Sequence, residues 1–506
     1  MSGRSRARGI TISYLYTILN TVIGLFMSAY LIRMMGQTEY GIYQIMTSFA
    51  TYLSLFQFGT GTIMTRNISL CQKNGEWQYQ YKRNVSTIWT IAIIQVAILV
   101  FVSFAFYNLI DLIYQDSLTV EQIAYGKSLF LIISAKLVLS FLIQVLNGII
   151  LGREHYSFSS ALQLAFLLIR TSLVILILLH RPYAICLTII DSCLEIILFI
   201  ITFRHCKVSL NVSFSFRFFD RSIFVECLPL SLALFLQTII NMANGNVDKF
   251  IIGIVMSPEA VSVYSIGMFI YTTFSSLTTV PISMYMPKIA GDMRDGKSGA
   301  ELTKTLIQPS RLVFMIGGIV LFGFLTVGRQ FLSIVYGNEY IEAWAIAIVI
   351  MCPMLINMSN GVIVNVLDVM NKRIVRSLIL SLTTLINIFL TVLWIRMWGM
   401  IGAAVATGVS TLVGQVFLMN LYYCRCLKLK IIHLFRETFR GILPSLVFAT
   451  VLSLISIKWI SNELIQLLVG GLVFCGTLLV SMAIFGANTF EKRKMRQVIN
   501  YWTKKE

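Results

Sequence analysis

The sequence predicts an all-α membrane protein that crosses the bilayer about fourteen times. Three observations support this prediction. Of the residues, 57% are hydrophobic and only 12% are charged, against about 25% charged in a soluble domain. Apolar runs of about 18–25 residues recur along the whole chain, each long enough to span a membrane as a helix. These runs lack the period-two alternation of membrane strands.

Fourteen apolar segments follow one another with short connections. The first continues from Arg4, Arg6 and Arg8 to Ile32 without a small-residue cleavage pattern, so we expect a retained span rather than a signal peptide. The connections leave no room for a soluble catalytic domain. The predicted spans are residues 10–32, 40–60, 84–106, 126–151, 159–179, 183–203, 225–247, 259–287, 310–328, 343–367, 374–396, 399–423, 439–458 and 464–486.

The basic residues predict the orientation. Of the forty Lys and Arg, thirty-one fall on one side of the membrane when the spans are threaded in order, seven fall on the other side, and two lie inside spans. Loops rich in Lys and Arg stay in the cytoplasm, so both termini are predicted to be cytoplasmic. The net charge of +18 does not indicate a nucleic-acid binder, because these residues lie in short loops between spans.

A weak internal repeat predicts two lobes. The segment Met35–Tyr43 aligns without gaps on Met256–Tyr264, and each joins the first two spans of a six-span half. Six is an even number, so the halves would be parallel repeats. The predicted domains are an N-lobe at 1–205 (helices 1–6), a cytoplasmic linker at 206–224, a C-lobe at 225–425 (helices 7–12), and residues 426–506 with two further helices and a basic tail.

Four charged residues lie near the middle of predicted spans. Lys136 is in span four, Arg170 is in span five, and Asp191 and Glu195 share one face of span six. Each would cost about 2.5–3.5 kcal/mol if it faced lipid. They must face one another or water. A static salt-bridge cluster is one alternative, but we favour a hydrated cavity in the first lobe, since apolar residues can replace a static cluster at little cost.

Weaker polar signals lie elsewhere. Asn241, Asn244 and Asp248 share a stripe on span seven. Amides in spans more often join helices than bind substrates, although they would also suit the hydroxyls of a sugar. Arg66 follows Gly59-Thr-Gly61, which indicates either a helix break before a cytoplasmic cation or a flexible site where Arg66 meets a lipid pyrophosphate.

Two other patterns predict no chemistry. Gly291–Ser298 matches the phosphate-loop pattern G-x-x-x-x-G-K-[ST], but that loop requires a strand before it and a helix after it within a parallel sheet. Here the segment follows a membrane span, so we expect no ATPase activity. Nine scattered cysteines and four lone histidines suggest no disulfide, no metal site and no cofactor.

Several motifs together resemble one known family. They are Gly36-Gln-Thr-Glu-Tyr-Gly-Ile-Tyr43 running into Phe58-Gly-Thr-Gly61, Asn246-Val-Asp-Lys249 before Ser257-Pro-Glu-Ala260, Tyr336-Gly-Asn-Glu-Tyr340, and Trp398-Gly-Met-Ile-Gly-Ala-Ala-Val-Ala-Thr407. With fourteen spans, their order resembles bacterial polysaccharide-biosynthesis flippases of the Wzx type, within the multidrug/oligosaccharidyl-lipid/polysaccharide exporter superfamily. The resemblance covers spans one to twelve. Gln37 departs from the family's common proline.

The resemblance implies two six-helix lobes around a central cavity that opens alternately to the two faces. It implies transfer of undecaprenyl-pyrophosphate-linked oligosaccharides from the inner to the outer leaflet of the bacterial cytoplasmic membrane, for surface polysaccharide assembly. The expected partners are these lipid-linked sugars and membrane lipids, with polysaccharide polymerase machinery as a further candidate and no nucleic acid.

The resemblance also suggests site residues. Related flippases carry cavity arginines for the pyrophosphate, and by depth the matching residue here is Arg170, with Lys136 beside it. Arg66, Asn241 and Asn244 complete the expected substrate site. For ion coupling or charge balance, the candidates are Asp191, Glu195 and Asp248.

Two other functions compete with this one. The alternative within the superfamily is a Na⁺- or H⁺-coupled multidrug or metabolite exporter, whose cavity should be acidic and aromatic. Two cations near the midplane count against it. A membrane enzyme such as a polymerase or ligase would need a large extracytoplasmic loop, so we expect that the protein is not an enzyme.

Overall fold

The computed structural model describes residues 3–71, 77–370 and 373–486, and within these ranges the regular secondary structure is helical throughout. The first eight long helices are α1 (Gly3–Met35), α2 (Gln37–Thr51), α3 (Thr60–Cys71), α4 (Trp77–Tyr114), α5 (Val120–Gly152), α6 (Tyr156–Leu178), α7 (Ala184–Arg204) and α8 (Arg221–Val255). Ten more come after them: α9 (Pro258–Met284), α10 (Met286–Arg294), α11 (Gly299–Tyr336), α12 (Glu342–Ser359), α13 (Gly361–Val369), α14 (Arg373–Ser410), α15 (Met419–Leu427), α16 (Ile431–Phe439), α17 (Ile442–Ile457) and α18 (Glu463–Ser481).

The helices account for the predicted membrane crossings. Within the described ranges, ten helical segments are long and apolar enough to cross a membrane. One of them, Val375–Leu427, breaks at Gly399 (φ 58°, ψ −140°) and therefore holds two spans. The others come from α1, from α2 with α3, and from α8, which gives fourteen. The predicted all-α, polytopic class is confirmed.

Two spans are broken where the sequence placed single segments. Span two, predicted at 40–60, ends its first helix at Thr51, passes through a 3₁₀ turn, and resumes as α3 up to Cys71. Phe58 and Gly59 there have left-handed backbone angles (φ 47° and 67°). A Cβ on Gly59 would lie 2.5 Å from Leu234 Cδ1, so α8 packs closely against this break. Asn360, with right-handed backbone angles (φ −89°, ψ −4°), separates α12 from α13 in span ten.

The chain divides into two compact units, residues 1–262 and 263–506. In the first unit α5 packs against α3, α4 and α7, α6 packs against α1, and α8 packs against α2, α3 and α4. In the second unit α11 packs against α12, α16, α17 and α18, so it joins the last two spans to the rest. The lobe boundaries at 205, 225 and 425 stay a prediction.

The segment 206–224 is fixed to the helices beside it. Cys206, Leu210 and Val212 are buried in an apolar cluster with residues of α3, α4 and α5. Further along, Asp220 forms an ion pair with Arg83. The backbone N–H of Asp220 also donates to Thr87 Oγ1 at 2.9 Å. Alternating apolar residues thus hold the predicted linker against the ends of the helices that precede it.

The two copies of the repeat meet. Thr38 Oγ1 donates to Glu259 Oε1 at 2.5 Å, and these residues occupy equivalent positions in the alignment of Met35–Tyr43 with Met256–Tyr264. Gly41 allows this approach, because a Cβ there would lie 2.0 Å from the carbonyl oxygen of Pro258. One pair of equivalent positions, Thr38 and Glu259, is therefore in direct contact.

One arginine at the start of predicted span nine is buried. Arg311 lies on α11 and is only 3% exposed. Its Nη1 donates to the carbonyl oxygens of Glu437 and Arg440 at 2.6 and 2.9 Å, and its Nη2 donates to that of Gly486 at 2.9 Å. These carbonyls lie at or just beyond the carboxyl ends of α16 and α18, where helix dipoles favour a cation. Arg311 therefore joins both helices to α11.

Candidate functional site

The first unit brings the four intramembrane charges together. Arg170 on α6 binds Asp191 on α7 through two bonds, Nε to Oδ1 at 2.6 Å and Nη2 to Oδ2 at 3.1 Å. Lys136 on α5 reaches the same carboxylate, Nζ to Oδ2 at 3.3 Å. Bidentate pairing of this kind is strong and directional. One buried carboxylate thus orients two cations from two neighbouring helices.

The helix that carries Asp191 is held at its start by other helices. Glu39 on α2 accepts a hydrogen bond of 2.7 Å from the backbone N–H of Ala184, the first residue of α7. Tyr125 on α5 donates to Glu39 and accepts from the backbone N–H of Ile185 at 3.1 Å. A carboxylate is favourable at a helix N-terminus. Asp191 lies about 10 Å further along this anchored helix.

The cations face an open space. The side chain of Asp191 is only 8% exposed, whereas those of Lys136 and Arg170 are 33% and 37% exposed. All three line a cavity of about 270 Å³ together with Glu195. Arg170 has five N–H donors, two of which bond Asp191. The ion pair is therefore accessible from the cavity. Both cations keep N–H donors that Asp191 does not use and that a further acceptor could bind.

Glu195 occupies a different environment from Asp191. It lies one helical turn further along α7, hydrogen-bonds with Ser140 and is near Lys136. Tyr43 of α2 lies close to Arg170 and Asp191 on another side. The remaining lining of the cavity is mixed, with Tyr16, Asn20, Asn147, Ser159 and Gln163 as its polar residues and Leu162, Phe166, Leu167, Leu194 and Leu198 as its apolar ones.

Two other predicted site residues whose side chains the structure describes, Arg66 and Asp248, do not line this cavity. Arg66 is exposed on α3, after the break at Gly59 and near Cys227 of α8. Asp248 is 4% exposed on α8 and close to Tyr52. The side chains of Asn241 and Asn244, also on α8, lie outside the described part of the structure. The structure thus brings together four of the eight predicted residues.

The sequence reasoning missed the cavity's amides. Gln163 precedes Arg170 by seven residues on α6, and Asn147 lies eleven residues after Lys136 on α5. Both separations are close to whole numbers of helical turns, so each amide shares a face with a charged residue. That periodicity was the available signal. Asn20 on α1 had none, because only the packing of α1 on α6 brings it to the cavity.

The phosphate-loop pattern belongs to a helical connection. Gly291 lies in α10, α11 begins at Gly299, and no strand precedes the motif among the described residues. Lys297 Nζ donates to Asp292 Oδ1 at 2.5 Å. This bond holds the pKa of the Asp292 carboxyl below its usual value. The lysine that would reach a nucleotide phosphate is engaged with a carboxylate instead.

Metal ligands are not clustered in the part of the chain that the structure describes. No group of three or more His, Cys, Asp or Glu side chains comes together there. All nine cysteines are free thiols. The charged cavity therefore offers two cations, two carboxylates and several amides as its polar chemistry.

The fold and the charged cavity define a polytopic membrane protein built like known flippases and exporters. It is similar to a structure described as "Lipid II flippase MurJ, inward closed conformation", with a TM-score of 0.69 and 15% identity, covering 93% of this chain and 99% of that one. A "MATE multidrug transporter DinF-BH in complex with R6G" matches with a TM-score of 0.53 and 15% identity over 85% of this chain and 94% of that one.

A third structure, an inward-facing multidrug resistance MATE family transporter of the MOP superfamily, matches with a TM-score of 0.58 and 12% identity. That match covers 83% of this chain and 98% of the other. At such identities these likenesses show a shared fold. A search of curated protein sequences gave no match.

The family itself is shown by the sequence. The sequence model described as "Polysaccharide biosynthesis protein" matches residues 7–291, more than half of the chain. The chain belongs to this polysaccharide biosynthesis protein family. The resemblance drawn from the ordered motifs is thereby confirmed.

Proposed function

We propose that the protein is a flippase for undecaprenyl-pyrophosphate-linked oligosaccharides. It moves them from the inner to the outer leaflet of the bacterial cytoplasmic membrane by alternating access, for surface polysaccharide assembly. Both termini lie in the cytoplasm. The observation that supports this most is the pair of cations, Lys136 and Arg170, exposed to a cavity at mid-span depth. Membership of the polysaccharide biosynthesis family agrees with it.

The proposed chemistry is recognition of a pyrophosphate. Arg170 offers a planar fork of donors that matches phosphate oxygens, and Lys136 adds a compact positive charge. A cavity enclosed by helices has a lower dielectric than water, which strengthens such contacts. Asp191 orients both cations when the cavity is empty, and the phosphate oxygens accept the donors that Asp191 leaves. The lipid tail stays in the bilayer.

The two carboxylates serve different steps in this proposal. Asp191 is held by two cations and maintains charge balance. Glu195 has a neutral partner in Ser140, which suits it to take up a proton or Na⁺ and reset the empty carrier. Asp248, buried on α8, is a second coupling candidate. Arg66, exposed after the helix break, would meet the pyrophosphate before it enters the cavity.

Other parts of the chain complete the transport cycle. Asn241 and Asn244 are proposed as substrate contacts from α8. Two lobes with the predicted boundaries would alternate between open faces, while α17 and α18 form an appendage. Polysaccharide polymerase machinery would receive the product. Cargo recognition and movement need no covalent step, so the proposal assigns no enzymatic activity to the chain.

The test compares variants in a strain that lacks the chromosomal gene. Arg170→Ala with Lys136→Ala should abolish surface polysaccharide while the protein remains in the membrane. Arg181→Ala is the matched control, because Arg181 is exposed between α6 and α7 and does not line the cavity. Wild-type levels of surface polysaccharide in the double variant would contradict the assigned roles.

The same strain tests the alternative, a Na⁺- or H⁺-coupled multidrug or metabolite exporter. That function predicts increased sensitivity to organic cations when the gene is absent, with surface polysaccharide unchanged. The flippase function predicts that surface polysaccharide is lost when the gene is absent, while sensitivity to organic cations is unchanged. The two cations favour the flippase, since their remaining donors suit the oxygens of a pyrophosphate rather than an organic cation.

A further inference from the structure

Three amide side chains line the charged cavity without a hydrogen-bond partner among the residues that the structure describes. They are Asn20 on α1, Asn147 on α5 and Gln163 on α6. In the described part of the chain, none of these side chains makes a hydrogen bond to another residue. Each amide carries two N–H donors and a carbonyl acceptor. The cavity therefore presents both kinds of hydrogen-bonding group from three helices.

Other amides in the spans behave differently. In the second unit, Asn357 donates to Gln415 at 2.7 Å, and Asn360 donates to Asn420 at 3.1 Å. These amides satisfy each other across helices, as packing groups in a membrane do. The amides of the cavity do not join helices in this way. Their hydrogen-bonding capacity is left for water or for a ligand.

The cavity amides lie to one side of the cations. Asn147 is about 16 Å beyond Lys136 along α5, and Gln163 is about 10 Å before Arg170 along α6. The helices α5 and α6 are consecutive spans joined by a short turn, so both displacements point to the same end of the bundle. In the proposed orientation this end faces the cytoplasm. The cavity thus presents cations at depth and amides nearer its cytoplasmic mouth.

We propose that Asn20, Asn147 and Gln163 bind the sugar directly attached to the pyrophosphate, through its hydroxyl or N-acetyl groups. This inference rests on the proposed flippase function and adds a second subsite to it. The volume of about 270 Å³ falls just below the range of about 300–1,000 Å³ for pockets of drug-sized ligands. It suits the head-group phosphates with one sugar.

The experiment measures binding of two kinds of lipid to the purified full-length protein in nanodiscs. One probe is undecaprenyl pyrophosphate without a sugar. The others are undecaprenyl pyrophosphates that carry N-acetylglucosamine, N-acetylgalactosamine, glucose or galactose. The variants are Asn147→Leu and Gln163→Met, which keep size and remove the amide. Asn108→Leu is the control, because Asn108 is exposed on α4 and bonds its own helix at Phe104.

We expect wild-type protein to bind at least one sugar-bearing lipid more tightly than the sugar-free lipid. Each amide variant should lose about three- to tenfold in affinity for that lipid, the effect of one neutral hydrogen bond. Affinity for the sugar-free lipid should not change, which also shows that the variant is folded. Arg170→Ala should weaken the binding of both lipids.

The outcomes separate this inference from the function on which it rests. If the wild-type protein does not bind undecaprenyl pyrophosphate at all, the proposed function is wrong. If it binds that lipid but gains nothing from any sugar, or if the amide variants bind every lipid like the wild type, only the sugar subsite is wrong. Equal loss for both lipids would identify the amides as structural and would likewise overturn the inference.

Discussion

Corresponding spans of the two halves carry polar residues of opposite character. In spans four to six, the charged cavity contains Lys136, Arg170, Asp191 and Glu195. In spans ten to twelve, three pairs of neutral side chains join described parts of the helices, and we call them the amide seam: Asn357 with Gln415, Asn360 with Asn420, and Asn387 with Thr407. The cations of the cavity are about one-third exposed, whereas Asn360 and Asn387 are 4% and 3% exposed.

The comparison teaches how to separate packing from function inside a membrane. A polar pair between helices contributes about 0.6 kcal/mol on average, and it can be lost or gained at little cost. A charge that faces lipid costs about 2.5–3.5 kcal/mol. Charges that keep exposed donors at a cavity are therefore poorly explained by packing alone. Buried amides with satisfied partners need no other explanation.

Removing the guanidinium of the charged cavity should have the largest effect. Hydrogen bonds to charged groups contribute about 1.5–3 kcal/mol, so Arg170→Ala should reduce flipping of a fluorescent lipid-linked sugar in proteoliposomes by about 10- to 150-fold. Arg170→Lys should recover part of the activity, because it restores the charge without the fork. An Arg170→Lys variant as active as wild type would show that the bidentate geometry has no role.

Arg311 extends the comparison to a second arginine in a membrane helix. It is buried, and its guanidinium donates to three backbone carbonyls. Arg311→Met would leave these carbonyls unsatisfied at about 1–3 kcal/mol each, with partial relief from rearrangement. We expect a loss of about 3–5 kcal/mol in stability, seen as a lower melting temperature in detergent.

The Arg311→Met protein that still folds at low temperature should bind undecaprenyl pyrophosphate like the wild type, since Arg311 lies in the second unit and does not line the cavity. Weakened binding with an unchanged melting temperature would assign Arg311 to the substrate path instead. Arg170→Ala serves as the reference, because it should weaken the binding of undecaprenyl pyrophosphate and change the melting temperature little.

The amide seam should tolerate replacement of a whole pair. Asn360→Leu alone leaves the Asn420 amide buried without its partner, which costs about 1–3 kcal/mol. The double variant Asn360→Leu with Asn420→Leu removes both polar groups, so its stability should recover to within about 1 kcal/mol of the wild type. A double-mutant cycle on melting temperatures measures the coupling. Loss of flipping in a stable double variant would place the seam in the substrate path.

Much of this arrangement could be predicted from the sequence. The spans can be predicted from composition. Lys136 and Arg170 lie deep within their spans, and a charge that faces lipid is costly, so these residues were expected to share a site away from lipid. The sequence does not predict the hydrogen-bond partner of an amide side chain, because an amide in a span is less costly than a charge. Asn147 and Asn360 look alike in sequence, and only the packing of their helices decides that one lines a cavity and the other bonds a neighbour.

Other features depend on contacts between distant segments. Arg311 lies near a predicted span boundary, where an error of a few residues separates a solvated loop from a buried position. Its partners belong to α16 and to the end of the last span, more than a hundred residues away. The attachment of segment 206–224 to α4 has the same origin. The local sequence pattern predicts the helices, whereas these contacts form only when the helices pack together.

The smallest effect is expected for an ion pair of similar chemistry outside the spans. Lys297 donates to Asp292 as Lys136 does to Asp191, but it lies in the connection between α10 and α11. Because the pKa of Asp292 lies below its usual value, the pair persists at neutral pH and is lost only as the pH falls through that lowered pKa. The side chain of Lys297 is 40% exposed and that of Asp292 is 11% exposed, and a pair whose cation stays largely in water contributes little.

Lys297→Ala should therefore leave flipping at pH 7 indistinguishable from the wild type, and it should lower the melting temperature less than Arg311→Met does. The purified protein, wild type or variant, should hydrolyse ATP only at the rate of a blank, since the phosphate-loop pattern lacks its strand. Lys136→Ala, the matched change inside the charged cavity, should reduce flipping. If Lys297→Ala reduced flipping as much as Lys136→Ala, an ion pair outside the spans would matter as much as one in the charged cavity. The position of an ion pair within a span would then not predict its role in transport.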